Sequence, residues 1–351
     1  MFITGIGTAT PPGRYSKAQC WEAFQASDWY HRLGPRARAI TEAVLRGDNG
    51  IESRHLALSS LDEAFAIDPD TLAHRFATHA PALACAAARQ ALERAGIGAG
   101  QVGAVVVSTC TGYLCPGLSG YVIEGLGLSP DVQAYDLVGQ GCAAALPNLR
   151  MGEALLASEQ CGHVLSVCVE VCSAAMYLDE DPGVLVSACL FGDGAGAAVL
   201  SRRPEKGRRI AWRHARSVTN TACRDALYFG QSNGMLRNVL TRQVPRLAAE
   251  EASLLLDAAL ADAGIGKGAI SAWILHAGGR DVLQAMERRI GLAPNDLRYS
   301  AAMLRRYGNL SSAFVYFVLQ AALEDGAPPG WWWLSSFGAG FSCHGALLAV
   351  D

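Results

Sequence analysis

ALERAGIG at residues 91–98 returns as ALADAGIG at residues 259–266, 168 positions later. A run of apolar residues at helical spacing leads into each copy, APALACAAARQ (80–90) into the first and AAEEASLLLDA (248–258) into the second. Gly96 and Gly264 stand just past the expected helix ends, where a glycine takes the left-handed conformation without strain. Beyond them QVGAVVVSTC (101–110) lies over AISAWILHAG (269–278), and each reads as a buried strand. The correspondence continues with GCAAALPNLRMGEALLAS from Gly141 and GNLSSAFVYFVLQAAL from Gly308, 167 positions apart. Each is a glycine, a polar residue, then a long helix of small and apolar residues. CLFGDGAGAAVLS from Cys189 likewise matches SSFGAGFSCHGALLAV from Ser335, each read as strand, glycine turn and returning strand. The expected fold is therefore α/β, two copies of one unit in a layered αβαβα arrangement. Residues 1–207 form the first half and 208–351 the second, with the break in the charged stretch SRRPEKGRR (201–209).

The 351 residues are 51% hydrophobic and 17% charged, ample for a large core and far from a disordered composition. The net charge of -3, with no long run of one sign, argues against a nucleic-acid or anionic-membrane surface. No basic leader, signal-length apolar run or membrane-spanning segment is present, so a cytoplasmic location is expected. Eleven cysteines, an odd number with no CxxC pair, suit reduced thiols rather than a disulfide framework. No metal is expected: His74 and His79, five apart, do not share a helix face.

Three polar residues occupy special places in the repeat. Cys142 follows Gly141 and Asn309 follows Gly308, each at a helix start, and His276 ends the strand AWILHAGG. A helix N-terminus favours thiolate over thiol, so a lowered Cys142 pKa and an ion pair with a nearby imidazole are expected. The blander readings are a small core cysteine, a hydrogen-bonded core histidine and a plain N-cap asparagine. The equivalence of Cys142 and Asn309 favours function, because pseudo-twofold helix starts converge on one cavity. Cys, neutral His and Asn together suit thioester chemistry. The sulfur accepts an acyl group, and two donors stabilise the enolate formed as a malonyl unit loses carbon dioxide. Gly278 and Gly279 leave room for substrate beside His276. A papain-like protease also uses these residue types, but its signature around the cysteine is absent.

The order of Cys142, FGDGAG (191–196), HAGG (276–279), GNLSS (308–312) and SSFGAG (335–340) resembles the thiolase-fold condensing enzymes, and most closely the type III polyketide synthases typified by chalcone and stilbene synthases. The resemblance runs from about Ile51 to the C-terminus. It implies a thiolase-like fold, a homodimer, acyl-CoA and malonyl-CoA as substrates with no cofactor, and Cys142, His276 and Asn309 as the catalytic triad. It also makes Phe191 a gatekeeper and places Cys110, Met176 and Ser311 along the elongation cavity. Cys115, before Pro116, falls where the family sends a residue into the partner's cavity, and Arg280 where CoA phosphate passes. IESRH (51–55) resembles the basic segment ahead of the core. The chain departs from plant members in three ways: Asn238 stands at the second gatekeeper position, the N-terminal CoA lysines have no match around residues 41–48, and Ala339 replaces a proline. Two other readings stay open, a ketoacyl-ACP synthase III that stops after one condensation and a noncatalytic partner subunit.

Overall fold

The computed structural model describes residues 1–204 and 207–351, so Glu205 and Lys206, at the expected break between halves, lie outside the described residues. Nine strands form the central sheet: β1 Phe2–Ala9, β2 Ala104–Ser108, β3 Gln133–Leu137, β4 His163–Glu170, β5 Gly194–Ser201, β6 Ile210–Thr219, β7 Ile270–Leu275, β8 Gly330–Gly338 and β9 Ser342–Val350. Their order is β7-β8-β9-β6-β1-β5-β4-β2-β3. Outward from the centre, β1, β5, β4 and β2 on one side match β6, β9, β8 and β7 on the other. In each set the first two contacts are antiparallel and the third, β2–β4 or β7–β8, is parallel. β3 has no counterpart; a 3₁₀ turn at Pro294–Leu297 and the helix Arg298–Tyr307 follow instead. The halves join edge to edge through the antiparallel pairing of Phe2 with Ala211 and Ile3 with Ile210.

Six helices complete the layers: α1 Pro69–Ala95, α2 Leu118–Leu126, α3 Ala145–Ala157, α4 Val244–Ala263, α5 Arg280–Ile290 and α6 Phe314–Glu324. The repeated ALxxAGIG segments end α1 and α4, and both stop on a left-handed glycine, Gly96 at φ 68° and Gly264 at φ 64°. Strand alternation then sorts the core. Val105, Val107, Leu165, Val167 and Val199 face α1 and α2. Val106, Cys168 and Ala198 face the opposite way, into a core shared with Leu146 and Leu149 of α3, Phe314 and Val318 of α6, and Ile274, Leu334 and Leu348 of the second half. Helices α3 and α6 therefore lie between the two halves of the sheet, with α1 and α2 outside one half and α4 and α5 outside the other. Each fully buried Leu, Val or Phe in these layers contributes about 1.5–3 kcal/mol relative to exposure.

One element differs from expectation. The residues before FGDG form a helix, Pro182–Leu190, rather than a strand. Pro182 sits at its first position and the Asp181 carboxylate accepts from Gly183 N at 2.8 Å, so capping outweighs the β-branched content of VLVSACL. The short helices Lys17–Ala26 and Pro35–Arg46 pack against this helix through Trp21, Phe24, Leu45 and Leu185. A hairpin, Leu227–Ser232 with Met235–Leu240, closes over its other side.

Candidate active site

Cys142 is buried in a 3₁₀ turn, Gly141–Ala143, directly ahead of α3. Gly141, at φ 53°, holds a conformation that a side chain would strain. The turn is pinned to the end of β8, where Ser336 Oγ donates to Ala143 O at 3.1 Å. Gly338 permits this approach, since a Cβ there would strike Gln140 O and lie 2.6 Å from Ala143 N. The same strand end seats His276, whose N–H donates to Ser335 O at 2.9 Å. Its ring packs edge-on against Phe337 and Phe314, with centroids 4.9 and 5.4 Å away.

Asn309 precedes a matching 3₁₀ turn, Ser311–Ala313, ahead of α6. Its side chain does two things. Oδ1 accepts from Ser311 N at 2.8 Å, which is capping, and Nδ2 donates to Gly278 O at 3.0 Å, which ties it to the segment after His276. Ser311, itself at φ 51°, links the pieces: its hydroxyl lies within hydrogen-bond reach of Cys142 Sγ at 3.3 Å and of Glu170 Oε1 at 3.2 Å. Phe191 pairs with Asn309 across an isolated parallel bridge and packs in one apolar cluster with Cys142 and Cys172.

The electrostatics follow from burial. Cys142 has no cation beside it, and burial pushes its thiol up to about 12, with the Ser311 hydroxyl working in the opposite direction. The expected low-pKa thiolate and its ion pair are therefore not the resting state. Desolvation outweighs the helix-start field, so the resting group is a neutral thiol. Burial likewise lowers His276 to about 3 and keeps its imidazole neutral. Both ring nitrogens are buried without a hydrogen-bond partner among the described residues. Buried polar atoms are rarely left so, and a pair of them on one ring marks a place that a ligand completes.

A cavity beside this centre is lined by Phe191, Met176, Ser311, Cys172, Phe229 and Asn238, among others. Three of the expected cavity residues, Phe191, Met176 and Ser311, thus meet there. Cys110 joins from the side, its Sγ 3.4 Å from Ser311 Oγ and donating to Glu170. Cys115 does not join; it is exposed on the surface of this chain. Gly278, at φ 39°, leaves no room for a Cβ against Phe337, and Gly279 lies against Leu190. Arg280 faces a separate cavity of about 590 Å³ and pairs with Asp48 at 3.2 Å.

Several residues were not singled out from sequence. Glu170, fully buried at the end of β4, accepts from Cys110 N, Thr111 Oγ1, Ser311 Oγ and Ser312 Oγ. Burial raises its pKa against these donors. Asp193 of FGDG is equally buried and holds Ala57 N at 2.6 Å and Ser173 N at 2.8 Å. Arg54 of IESRH donates to Ala188 O and Phe191 O at 2.8 and 2.9 Å, which fixes the gatekeeper's backbone. The VCVEVC strand pattern with a carboxylate at its centre was the one available signal for Glu170.

The family model for FAE1/type III polyketide synthase-like proteins matches residues 62–247, more than half of the chain. The chain belongs to that family. The C-terminal domain of chalcone and stilbene synthases matches residues 230–349 of this synthase. A 3,5-dihydroxyphenylacetyl-CoA synthase of Streptomyces toyocaensis is 28% identical, over 99% of this chain and 89% of its own length. An alpha-pyrone synthesis polyketide synthase-like protein of Mycobacterium tuberculosis is 27% identical, over 92% of this chain and 84% of its own. In fold, the synthase superposes on PKS-I of the brown alga Ectocarpus siliculosus with a TM-score of 0.90, at 24% identity and covering 99% and 98% of the two chains. The 1,3,6,8-tetrahydroxynaphthalene synthase of Streptomyces coelicolor gives 0.89 at 21% identity, covering 99% of both. The thiolase-like fold and the acyltransferase class read from the sequence stand, and the single-condensation alternative is not favoured. No helix among the described residues is long and apolar enough to cross a membrane.

Proposed function

We propose that this synthase loads an acyl-CoA starter on Cys142, extends it with malonyl-CoA and closes the product to a pyrone, a resorcinol or another aromatic ring. The fully buried His276, with both ring nitrogens unpartnered among the described residues and its ring against Phe337 of the strand end that also holds the Cys142 turn, carries this reading. In the first step Cys142 Sγ attacks the thioester carbonyl, and its proton leaves with the departing CoA thiol. Ser311 Oγ, already aimed at Sγ, stabilises the thiolate formed on the way. Malonyl thioester then places its carbonyl against His276 and Asn309 Nδ2. Carbon dioxide departs, its bonding electrons forming an enolate whose oxygen these two donors hold. The enolate carbon attacks the acyl-sulfur carbonyl and expels the Cys142 thiolate; the chain, two carbons longer, is then a CoA thioester and is transferred back to Cys142 for the next extension. The reaction so written draws on no metal or cofactor.

The CoA moiety is assigned to the cavity of about 590 Å³ that Lys17, Arg46, Arg280 and Arg305 line. Lys17 and Arg46 supply the cations for which residues 41–48 alone gave no lysine match. Asp48 and Glu52 partly offset them, at 3.2 Å from Arg280 and 3.6 Å from Arg305. A homodimer fits the exposed Tyr113 (81%) and Val138 (70%), both on the rim of a cavity of about 620 Å³ that Cys110 and Gly141 also line. Cys115, exposed in one chain, would reach the partner there. The division into halves at about residue 207 and a cytoplasmic location belong to the same proposal.

The test is a panel of starter thioesters with malonyl-CoA and no carrier protein, with products identified by mass. Pyrones or resorcinols bearing two or more malonyl-derived units support the reading; a single ketoacyl product, or no turnover with any starter, overturns it.

A further inference from the structure

Asn238 lies on the Met235–Leu240 hairpin strand opposite Phe229, and both residues line the cavity with Phe191, Met176 and Ser311. It is 7% exposed, and its Oδ1 is buried with no hydrogen-bond partner among the described residues. Four of the other polar side chains around this cavity are already engaged. Ser311 bonds Cys142 and Glu170, Thr111 bonds Glu170, Ser173 bonds Asp193, and Tyr177 bonds Ser232. A buried amide oxygen left unpaired costs about 1–3 kcal/mol, so its retention beside these bonded neighbours calls for a ligand group.

We infer that Asn238 is a specificity-determining residue that binds a β-keto/enol segment of the growing chain. Unreduced malonyl extension leaves an oxygen on every second carbon. Such a 1,3-dicarbonyl segment offers an enol O–H and a ketone oxygen, and an amide offers the matching acceptor and donor. An apolar side chain at this position would shape the cavity but hold neither oxygen. The bond forms only once the chain carries these oxygens, so Asn238 acts on extension and cyclisation and not on starter loading. The inference rests on the polyketide reading above.

Asn238→Ala and Asn238→Ser, nearly equal in size and differing by a hydroxyl, separate hydrogen bonding from volume; Asn238→Leu keeps the bulk. Each is given one starter acyl-CoA and malonyl-CoA, with acyl-enzyme formation followed by intact mass and products by liquid chromatography and mass spectrometry. Acyl-Cys142 formation is measured in each variant, and the product profiles are compared per acylated enzyme. The ratio of the most extended product to early-released lactone is expected to fall roughly tenfold in the Ala and Leu variants and to recover in part in the Ser variant. Equal profiles for the Ala and Ser variants, or wild-type profiles in all that fold, overturn the inference while leaving the synthase reading intact. A wild-type enzyme that forms no multiply extended product with any starter overturns both.

Discussion

At the scale of the residue, the site is built from neutral groups. Burial takes Cys142 up to about 12 and His276 down to about 3, so neither is charged at rest near neutral pH. A folded-state histidine pKa so far below the usual value means that the imidazole protonates only in strong acid. The malonyl-CoA decarboxylation rate of Cys142→Ala, which keeps both enolate donors, is therefore expected to be flat between about pH 6 and pH 9. A limb with its midpoint near 6.5 would show a titrating His276 and contradict this. His276→Ala is expected to lower that decarboxylation by about 10²–10³-fold, the usual loss for one preorganised donor; a change under threefold, measured as carbon dioxide release, would remove His276 from the role. Glu170 obeys the opposite logic to an exposed carboxylate. Its folded pKa is raised, so its contribution to stability is fully present below the unfolded carboxylate value and shrinks as pH rises through the folded one.

At the scale of the element, legibility depended on whether the cause was local. The helix stops at Gly96 and Gly264 were readable because a left-handed glycine after an apolar helical run is a local device. Cys142 and Asn309 were readable because duplication places equivalent turns at equivalent helix starts. The strand expected from Cys189 is instead the end of the Pro182–Leu190 helix, whose Asp181–Pro182 cap lies upstream of the motif. The VCVEVC pattern hints at a carboxylate in a buried strand, but the partners of Glu170 and Arg54 are not legible in the sequence, since they lie about 60 to 140 residues away. For Cys142 the helix start is visible in the sequence, while the desolvation that pushes its thiol up is not. The glycine that lets β8 touch the nucleophile turn makes a test at this scale. Gly338→Ala forces a methyl into Gln140 O and Ala143 N. A stability loss of about 1–3 kcal/mol is expected by denaturant unfolding, with acyl-Cys142 formation falling further than stability alone explains. Unchanged acylation would show that the turn does not depend on that contact.

At the scale of the whole molecule, the two matching sets of strands bring Cys142 to the start of α3, Asn309 to the start of α6, and the His276 ring against Phe314 of α6. A continuous sheet through β1 and β6 makes the halves one body, so the geometry between Cys142 in the first and His276 and Asn309 in the second is held by the core rather than by a linker. Tyr113 and Val138 remain the large apolar residues most exposed on this body. Tyr113→Asp with Val138→Asp is expected to convert a dimer to a monomer in light scattering; a wild-type monomer at micromolar concentration would contradict the proposed assembly. The most direct test of the shared centre is mass analysis of tryptic peptides after brief exposure to a starter acyl-CoA, followed by a chase with malonyl-CoA. The starter mass should appear on the peptide holding Cys142 and then leave it as free, multiply extended product. An adduct on another cysteine, or one on Cys142 that malonyl-CoA cannot clear, would contradict the joint action of sulfur, imidazole and amide.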